Sequence, residues 1–185
     1  LFSPTSREDS DIFNRFHLNG YKFIQTWEGM VYHLTSRGSR FNSYSGGKPG
    51  EINSEEWQYT NHKNIRNFIR KWGTNVQHDE YLKPIVSPKY NIGFKALNCN
   101  KQLLCELEPW CDKIYLDFAS DYMGEYVKEE QPNTTYNLDE RVKMYGDADL
   151  TKSHDILVEF DCNKLNNENF QIIVNLAKML QDSGE

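Results

Sequence analysis

Short apolar runs that alternate with helix-like segments restrict the fold of the second half of this chain more than any other feature. The runs are NIGFKAL (91–97), KIYLDF (113–118) and ILVEF (156–160). Helical patterns cover 101–108, 120–130, 138–145 and 168–182. Short apolar strands joined through helices are typical of a parallel sheet with helices on its faces. We therefore predict a small parallel-sheet α/β domain, Rossmann-like in kind, over residues 85–185.

The first half mixes helix and strand signals. A helix is expected over 9–19, with an apolar face of Ile12, Phe13 and Phe16 and a stop at Asn19-Gly20. Two strands are expected over 21–27 and 30–35, then a mobile basic loop rich in Gly and Ser over 36–52. A second helix covers 53–72, with Asn53 as its N-cap, and residues 74–89 read as a linker. Residues 1–84 are thus predicted to form an α+β domain.

Charge is unevenly divided between the halves. The net charge is -6 and the pI about 5.4. Residues 1–84 hold 11 Lys and Arg against 9 Asp and Glu, and residues 85–185 hold 10 against 18. Proteins that bind phosphate backbones carry a basic face, so nucleic acid is not expected as a partner. No run approaches the roughly 20 apolar residues of a membrane span, and no secretory signal is present. We expect a cytoplasmic protein.

The four cysteines follow no metal-binding pattern. They lie at positions 99, 105, 111 and 162, without a CxxC pair or a histidine at ligand spacing. We predict reduced thiols, mostly buried. Two of them lie in polar triplets at strand ends, Asn98-Cys99-Asn100 and Asp161-Cys162-Asn163. Such ends bind ligands in open α/β sheets, but these residues are also ordinary turn formers, and the second interpretation is favoured.

A cluster of carboxylates opens the first predicted helix. Glu8, Asp9 and Asp11 fall within four residues. Acidic residues at a helix N-terminus complement its dipole, which is the simpler explanation. A carboxylate in this position that lines a cleft can also act as a general base toward an attacking hydroxyl group.

A histidine precedes the basic loop. His33 ends the second predicted strand, and Arg37 and Arg40 follow it in the Gly- and Ser-rich segment. A lone histidine is more often structural. Here it could instead bind a divalent metal ion, with the arginines and loop amides holding a phosphate.

Taken in order, these segments resemble a known family. Residues 8–41 read EDSDIFNRFHLNGYKFIQTWEGMVYHLTSRGSRF. The order Glu-Asp-x-Asp, Arg15, Gly20, Trp27, Val-Tyr-His and then Ser/Arg resembles the C-terminal part of the catalytic domain of glycosyltransferase family 2, which has the GT-A fold. The resemblance covers about the first 45 residues. The whole chain is also similar to the tail of glycosyltransferase-like proteins of marine bacteria or their phages.

The resemblance implies a role for each matching residue. Asp9 would deprotonate the acceptor hydroxyl, and Glu8 would orient it or the acceptor. Asp11 and Arg15 would hold the helix in place. His33 would bind a divalent cation, Mn²⁺ or Mg²⁺, near the donor diphosphate. Trp27, Arg37 and Arg40 would contact the substrate.

The resemblance also implies what the whole enzyme does. The family transfers a sugar from a nucleotide-sugar donor to a glycan or other hydroxyl acceptor. Its nucleotide-binding half and the Asp-x-Asp metal motif that ends it do not precede Glu8 here. Asp147-Ala148-Asp149 matches that motif by letters only and is expected in a solvated loop. We therefore expect a C-terminal fragment that is inactive alone, with 1–84 from the GT-A domain and 85–185 as an accessory domain. A homodimer through the surface left by the missing half is possible.

Two other functions stay open. One is a non-enzymatic α/β interaction or accessory module. The other is a metal-dependent nuclease that uses Asp9, Asp11 and His33, which the missing basic face disfavours.

Overall fold

A computed structural model describes residues 2, 6–32, 38–51, 54–117, 121–146 and 153–184. The chain divides into two compact units. The first comprises Leu1–Phe68 and Val76–Val86, and the second comprises Ile69–Asn75 and Ser87–Glu185. Each unit is described separately below.

In its described residues, the first unit contains two helices and two short 3₁₀ turns. Helix α1 covers Glu8–Leu18 and helix α2 begins at Glu55 and ends at Trp72, its last four residues belonging to the second unit. The turns cover Ser39–Phe41 and Ser43–Ser45. As predicted, α1 stops at Asn19-Gly20, where Gly20 has a φ of 76° that suits glycine.

The two strands expected over 21–35 are not found in the described residues. Residues 21–32 contain no strand, and residues 33–35 lie outside the described part of the chain. Trp27 and Tyr32 are 89% and 99% exposed. The aromatic and β-branched composition favours strands, but a strand needs a neighbour for its backbone hydrogen bonds. No described segment pairs with residues 21–32.

The buried side of α1 is not the expected one. Ile12, Phe13 and Phe16 are exposed, whereas Asp11 and Asn14 are buried. Phe13 contacts the half-buried ring of Phe23, and Phe16 contacts the exposed ring of Tyr21. The apolar face of α1 therefore lies toward solvent.

The Gly- and Ser-rich segment packs closely against α2 in its described part. Ser45, Gly46 and Gly47 are buried, and the Ser54 hydroxyl donates to the Gly46 carbonyl at 2.6 Å. A Cβ on Gly46 would meet the Glu56 backbone at 2.9 Å. In the sequence, these glycines favour a mobile loop. In the structure, they instead allow the backbone of this segment to approach the backbone of α2 closely. The predicted N-cap Asn53 lies outside the described residues.

The second unit is built on a four-stranded, all-parallel sheet in the order β3-β2-β1-β4. The strands are β1 (Ile92–Leu97), β2 (Lys113–Leu116), β3 (Val142–Met144) and β4 (Ile156–Asp161). The helices are α3 (Lys101–Leu107), α4 (Asp121–Glu130), α5 (Leu138–Arg141) and α6 (Asn167–Ser183). The prediction of an α/β domain with a parallel sheet is confirmed. The prediction of a helix over 138–145 is wrong in its second half. Helix α5 ends at Arg141, and β3 begins at the next residue.

The strand order reverses between β1 and β4. From β1 the chain proceeds to β2 and then β3 on one side, and β4 returns to the other side of β1. In open parallel sheets such a reversal leaves a crevice at the carboxyl ends of the two strands. The sheet edges also differ, since β3 has three residues and β4 has six.

Apolar side chains and one charged cluster form the core of the second unit. Phe94, Ala96, Leu104 and Leu116 are fully buried. Beside them, Arg70 and Arg141 contact the buried carboxylate of Glu108. Within the part of the chain described, no helix combines the length and the apolar character needed to cross a membrane.

Candidate functional site

The start of α1 presents two carboxylates to solvent. Glu8 and Asp9 are exposed, and in the described part of the chain Asp9 makes no side-chain hydrogen bond or ion pair. Arg7, which precedes the helix, has a φ of 73°. Burial lowers the pKa of Arg7, and the negative charge of Glu8 acts in the opposite direction. Asp9 is thus available to a ligand in solution.

The next turn of α1 contains an ion pair. Asp11 is buried, and its carboxylate lies 3.3 Å from the Arg15 guanidinium one turn later. An acid and a base four residues apart lie on the same face of a helix. Of the predicted site residues, these two are brought into direct contact.

The other predicted residues lie elsewhere in the first unit or outside the described part. Trp27 is almost fully exposed in the segment without secondary structure. The Arg40 guanidinium lies 5.1 Å from the centre of the Trp57 ring, in a cation–π contact. His33 and Arg37 lie outside the described residues. Among the residues that are described, no group of three or more His, Cys, Asp and Glu side chains could hold a metal ion.

The carboxyl ends of the second unit's strands are joined by polar contacts. Asn98, which follows β1, has a φ of 52°. Its side chain donates to Asp161 at 3.0 Å, and its backbone N–H donates to Asp117 at 2.9 Å. The second Asp117 oxygen is buried and has no hydrogen-bond partner among the described residues. The Asn98–Asp161 bond is the main cause that lowers the pKa of Asp161. These hydrogen bonds link the carboxyl ends of β1, β2 and β4 near the point where the strand order reverses. Such bonds are typical of turn-forming residues.

A histidine that precedes β4 makes two side-chain hydrogen bonds that the sequence does not predict. His154 lies 2.9 Å from the Tyr115 hydroxyl through Nε2 and 2.9 Å from the Asn91 amide oxygen through Nδ1. Because an amide oxygen only accepts, this arrangement assigns the proton to Nδ1 and makes Tyr115 the donor to Nε2. Burial and then the Lys113 charge lower the pKa of His154, so its neutral form is favoured.

The only local signal for this arrangement is Gly93 within a strand. A Cβ on Gly93 would lie 2.6 Å from the His154 ring. A glycine inside a strand often marks such a close approach.

An apolar cavity of about 330 Å³ lies between β4 and α6. Its lining includes the apolar side chains of Val158, Phe160, Ile172 and Ile173, together with Asp161 and Lys164. Ile172 is 53% exposed. The cavity adjoins the edge strand of the sheet.

No protein-family model matches this chain, and neither a curated protein nor a solved structure matches it.

Proposed function

We propose that this chain is the acceptor-side, C-terminal part of a family 2 glycosyltransferase. In this proposal the first unit is the end of a GT-A catalytic domain, and the second is a small Rossmann-like accessory domain. The enzyme transfers a sugar from a nucleotide-sugar donor to a hydroxyl acceptor, and the chain alone is inactive. The observation that carries the proposal is the contrast on α1. Asp9 is exposed and unpaired within the described residues, whereas Asp11, two residues on, is buried against Arg15.

This contrast fits the division of labour that the resemblance implies. A general base must reach a substrate proton, and a carboxylate already held by a cation is a poor proton acceptor. Asp9 has the exposure that a base needs, and Glu8 lies beside it in the first helical turn. Asp11 and Arg15 instead form a contact that can orient α1.

The reaction requires charge stabilisation as well as a base. As the acceptor oxygen attacks the anomeric carbon, its proton passes to the Asp9 carboxylate, and negative charge develops on the departing diphosphate. A divalent cation bound with His33 would neutralise part of that charge. Arg40, whose planar cation is held against Trp57, is suited to the diphosphate. The exposed Trp27 ring offers an apolar face for a sugar.

One observation favours the alternative of a non-enzymatic interaction module. Edge strand β4 lies next to an apolar cavity, and the six-residue edge is long enough to accept a further strand. This feature belongs to the second unit and is compatible with an accessory role in an enzyme.

The test is a transfer assay on the full-length product of the gene that encodes this chain. Nucleotide sugars are supplied singly with Mn²⁺ or Mg²⁺, and release of nucleoside diphosphate is measured with and without acceptors. We expect Asp9→Asn to lower kcat by about 10²–10⁴-fold, with little change in the KM for the donor.

Asp139→Asn is the matched control, because Asp139 is also an exposed acidic residue in the first turn of a helix. It should leave kcat unchanged. A protein that accepts no nucleotide sugar, or an Asp9→Asn enzyme as active as the Asp139→Asn enzyme, would contradict the proposal.

A further inference from the structure

Two cysteines lie at the ends of the neighbouring strands β1 and β4. Strand pairing places Leu97 opposite Asp161, and Cys99 and Cys162 follow these residues by two positions and one. Both thiols are free, and each cysteine is only 4% exposed. The pair lies where the strand order of the sheet reverses.

The spacing of the two strands suits a covalent bond between these cysteines. Continued one step past Leu97 and Asp161, the register sets Cys162 beside Asn98, the residue before Cys99. Paired strands lie about 4.8 Å apart and one residue spans about 3.3 Å, so an offset of one residue is compatible with the roughly 4.4–6.8 Å between Cα atoms that a disulfide needs. The two thiols already interact. The Cys99 thiol donates to the Asn100 carbonyl at 3.4 Å, and its interaction with the Cys162 sulfur is the main cause that lowers the pKa of Cys162 and raises the pKa of Cys99.

The surrounding backbone is fixed by independent contacts. The Asn98 side chain donates to Asp161, and the Asn98 N–H donates to Asp117. The Asp161 carboxylate also accepts the N–H of Asn163, on the far side of Cys162. These bonds hold the residues that flank each cysteine.

The other two cysteines provide a contrast within the same unit. Cys111 is buried, and burial is the main cause that raises its pKa well above the usual value. Cys105 lies on α3. The pKa of Cys162, unlike that of Cys111, is lowered, and the neighbouring Cys99 is the main cause.

We propose that Cys99 and Cys162 are a redox modification site and form a reversible disulfide that joins the ends of β1 and β4. The oxidant is a low-molecular-weight disulfide such as oxidised glutathione. The Cys162 thiolate attacks one of its sulfurs, forms a mixed disulfide and releases one glutathione thiolate. Cys99 then loses its proton, attacks the Cys162 sulfur and releases the second glutathione. Two protein thiols are oxidised, one glutathione disulfide is reduced, and the two thiol protons pass to the two glutathione thiolates.

The bond would stabilise the second unit. It joins residues far apart in sequence, so it removes many conformations from the unfolded chain. We expect the oxidised protein to unfold about 10 °C higher than the reduced protein.

The test uses the full chain under native conditions. Purified reduced protein is incubated with excess oxidised glutathione, remaining thiols are alkylated, and intact mass and disulfide-linked peptides are measured. The wild type should lose the mass of two hydrogen atoms and yield a peptide that links Cys99 to Cys162. Dithiothreitol should reverse both changes and the rise in Tm.

Serine variants locate the bond. Cys105→Ser, the matched control, should oxidise like the wild type. Cys99→Ser should stop at a mixed disulfide on Cys162, because the second attacking thiol is absent. The peptide map of the wild type decides the matter even where a variant folds poorly.

Three results would overturn the proposal. One is a folded wild type that keeps all four thiols under glutathione disulfide although the same protein oxidises in urea. Another is a linked peptide that contains Cys105 or Cys111. The last is an oxidised protein that melts at or below the temperature of the reduced form.

Discussion

At the scale of single residues, the most tightly constrained group is the Glu108 carboxylate. It is fully buried and accepts hydrogen bonds from Arg70, Arg141 and the Tyr126 hydroxyl. Arg70 also contacts Glu130 at 2.8 Å. The two arginines and two glutamates balance in charge, which makes their burial tolerable. Removing one member leaves the others buried without compensation.

We therefore expect Glu108→Gln to lower the free energy of unfolding by about 3–5 kcal/mol. The change keeps the side-chain size but leaves two arginines facing a neutral amide. Glu106→Gln, at an exposed position near the end of α3 and two residues before Glu108, should change the stability by no more than about 0.5 kcal/mol. Urea unfolding followed by circular dichroism compares the two. Equal midpoints for both variants would show that the buried charge is not needed.

The same carboxylate predicts a dependence of stability on pH. Burial alone would raise the pKa of Glu108, but the charges and hydrogen bonds of Arg70 and Arg141 outweigh it and lower the pKa below the usual value. A carboxyl group with a lowered folded-state pKa contributes full stability above its unfolded pKa of about 4.3 and loses it as the pH falls through the folded value. The wild type should therefore lose more stability below pH ~4 than Glu108→Gln does. Parallel acid titrations of both proteins test this difference.

At the scale of elements, the ends of α6 are defined by local bonds. The Asn166 side chain accepts from the backbone N–H groups of Glu168 and Asn169, and the Asn169 side chain accepts the Asn166 N–H. Gly184, with a φ of 78°, ends the helix. Both ends of the helix are thus encoded within a few residues.

We expect Asn166→Ala to destabilise the protein by about 1 kcal/mol, because two backbone donors lose their partner. Asn167→Ala, one residue later in the exposed first turn, is the control and should cost less. Hydrogen exchange of the first-turn amides of α6 gives a direct readout. Unchanged protection in the Asn166 variant would argue against the cap.

Elements with local determinants could be predicted, and elements that depend on distant partners could not. The ends of α6 lie within one residue of the expected 168–182, and β1, β2 and β4 were found from their apolar runs. The sequence does not predict strand β3, because three residues directly after a helix are too few to show an alternating apolar pattern. Its pairing with β2 is a long-range contact.

The same limit applies to the side-chain arrangements. Asp11 and Arg15 are four residues apart, so their contact follows from helical spacing. Arg70 and Glu108 are 38 positions apart, and Tyr115 and His154 are 39 apart. The Arg70–Glu108 pair has no signature in the sequence. The Tyr115–His154 pair is signalled only by Gly93, whose missing side chain leaves room for His154.

At the scale of the whole molecule, the compact units do not follow a single cut in the chain. The sequence predicts a boundary after residue 84, whereas contacts group Ile69–Asn75 with the residues that follow Val86. That short segment contains Arg70. The last turn of α2 is therefore part of the second unit's core.

This grouping predicts how fragments behave. A fragment of residues 85–185 lacks Arg70 and should be less stable by several kcal/mol than a fragment of residues 54–185. Arg70→Met in the longer fragment should reproduce much of the loss. Urea midpoints of the three proteins test the expectation. A shorter fragment as stable as the longer one would mean that α2 is dispensable to the core.

The close approach of Gly93 to His154 also bears on how this sequence can drift over generations. The imidazole is held by Tyr115 and Asn91, so it cannot turn aside for a new methyl group at position 93 without breaking those bonds. A side chain at position 93 therefore requires that the ring at position 154 be lost first. Lineages that gain a side chain at 93 should already have lost the ring at 154, which makes these two positions an evolutionary pair despite 61 residues of separation in the chain.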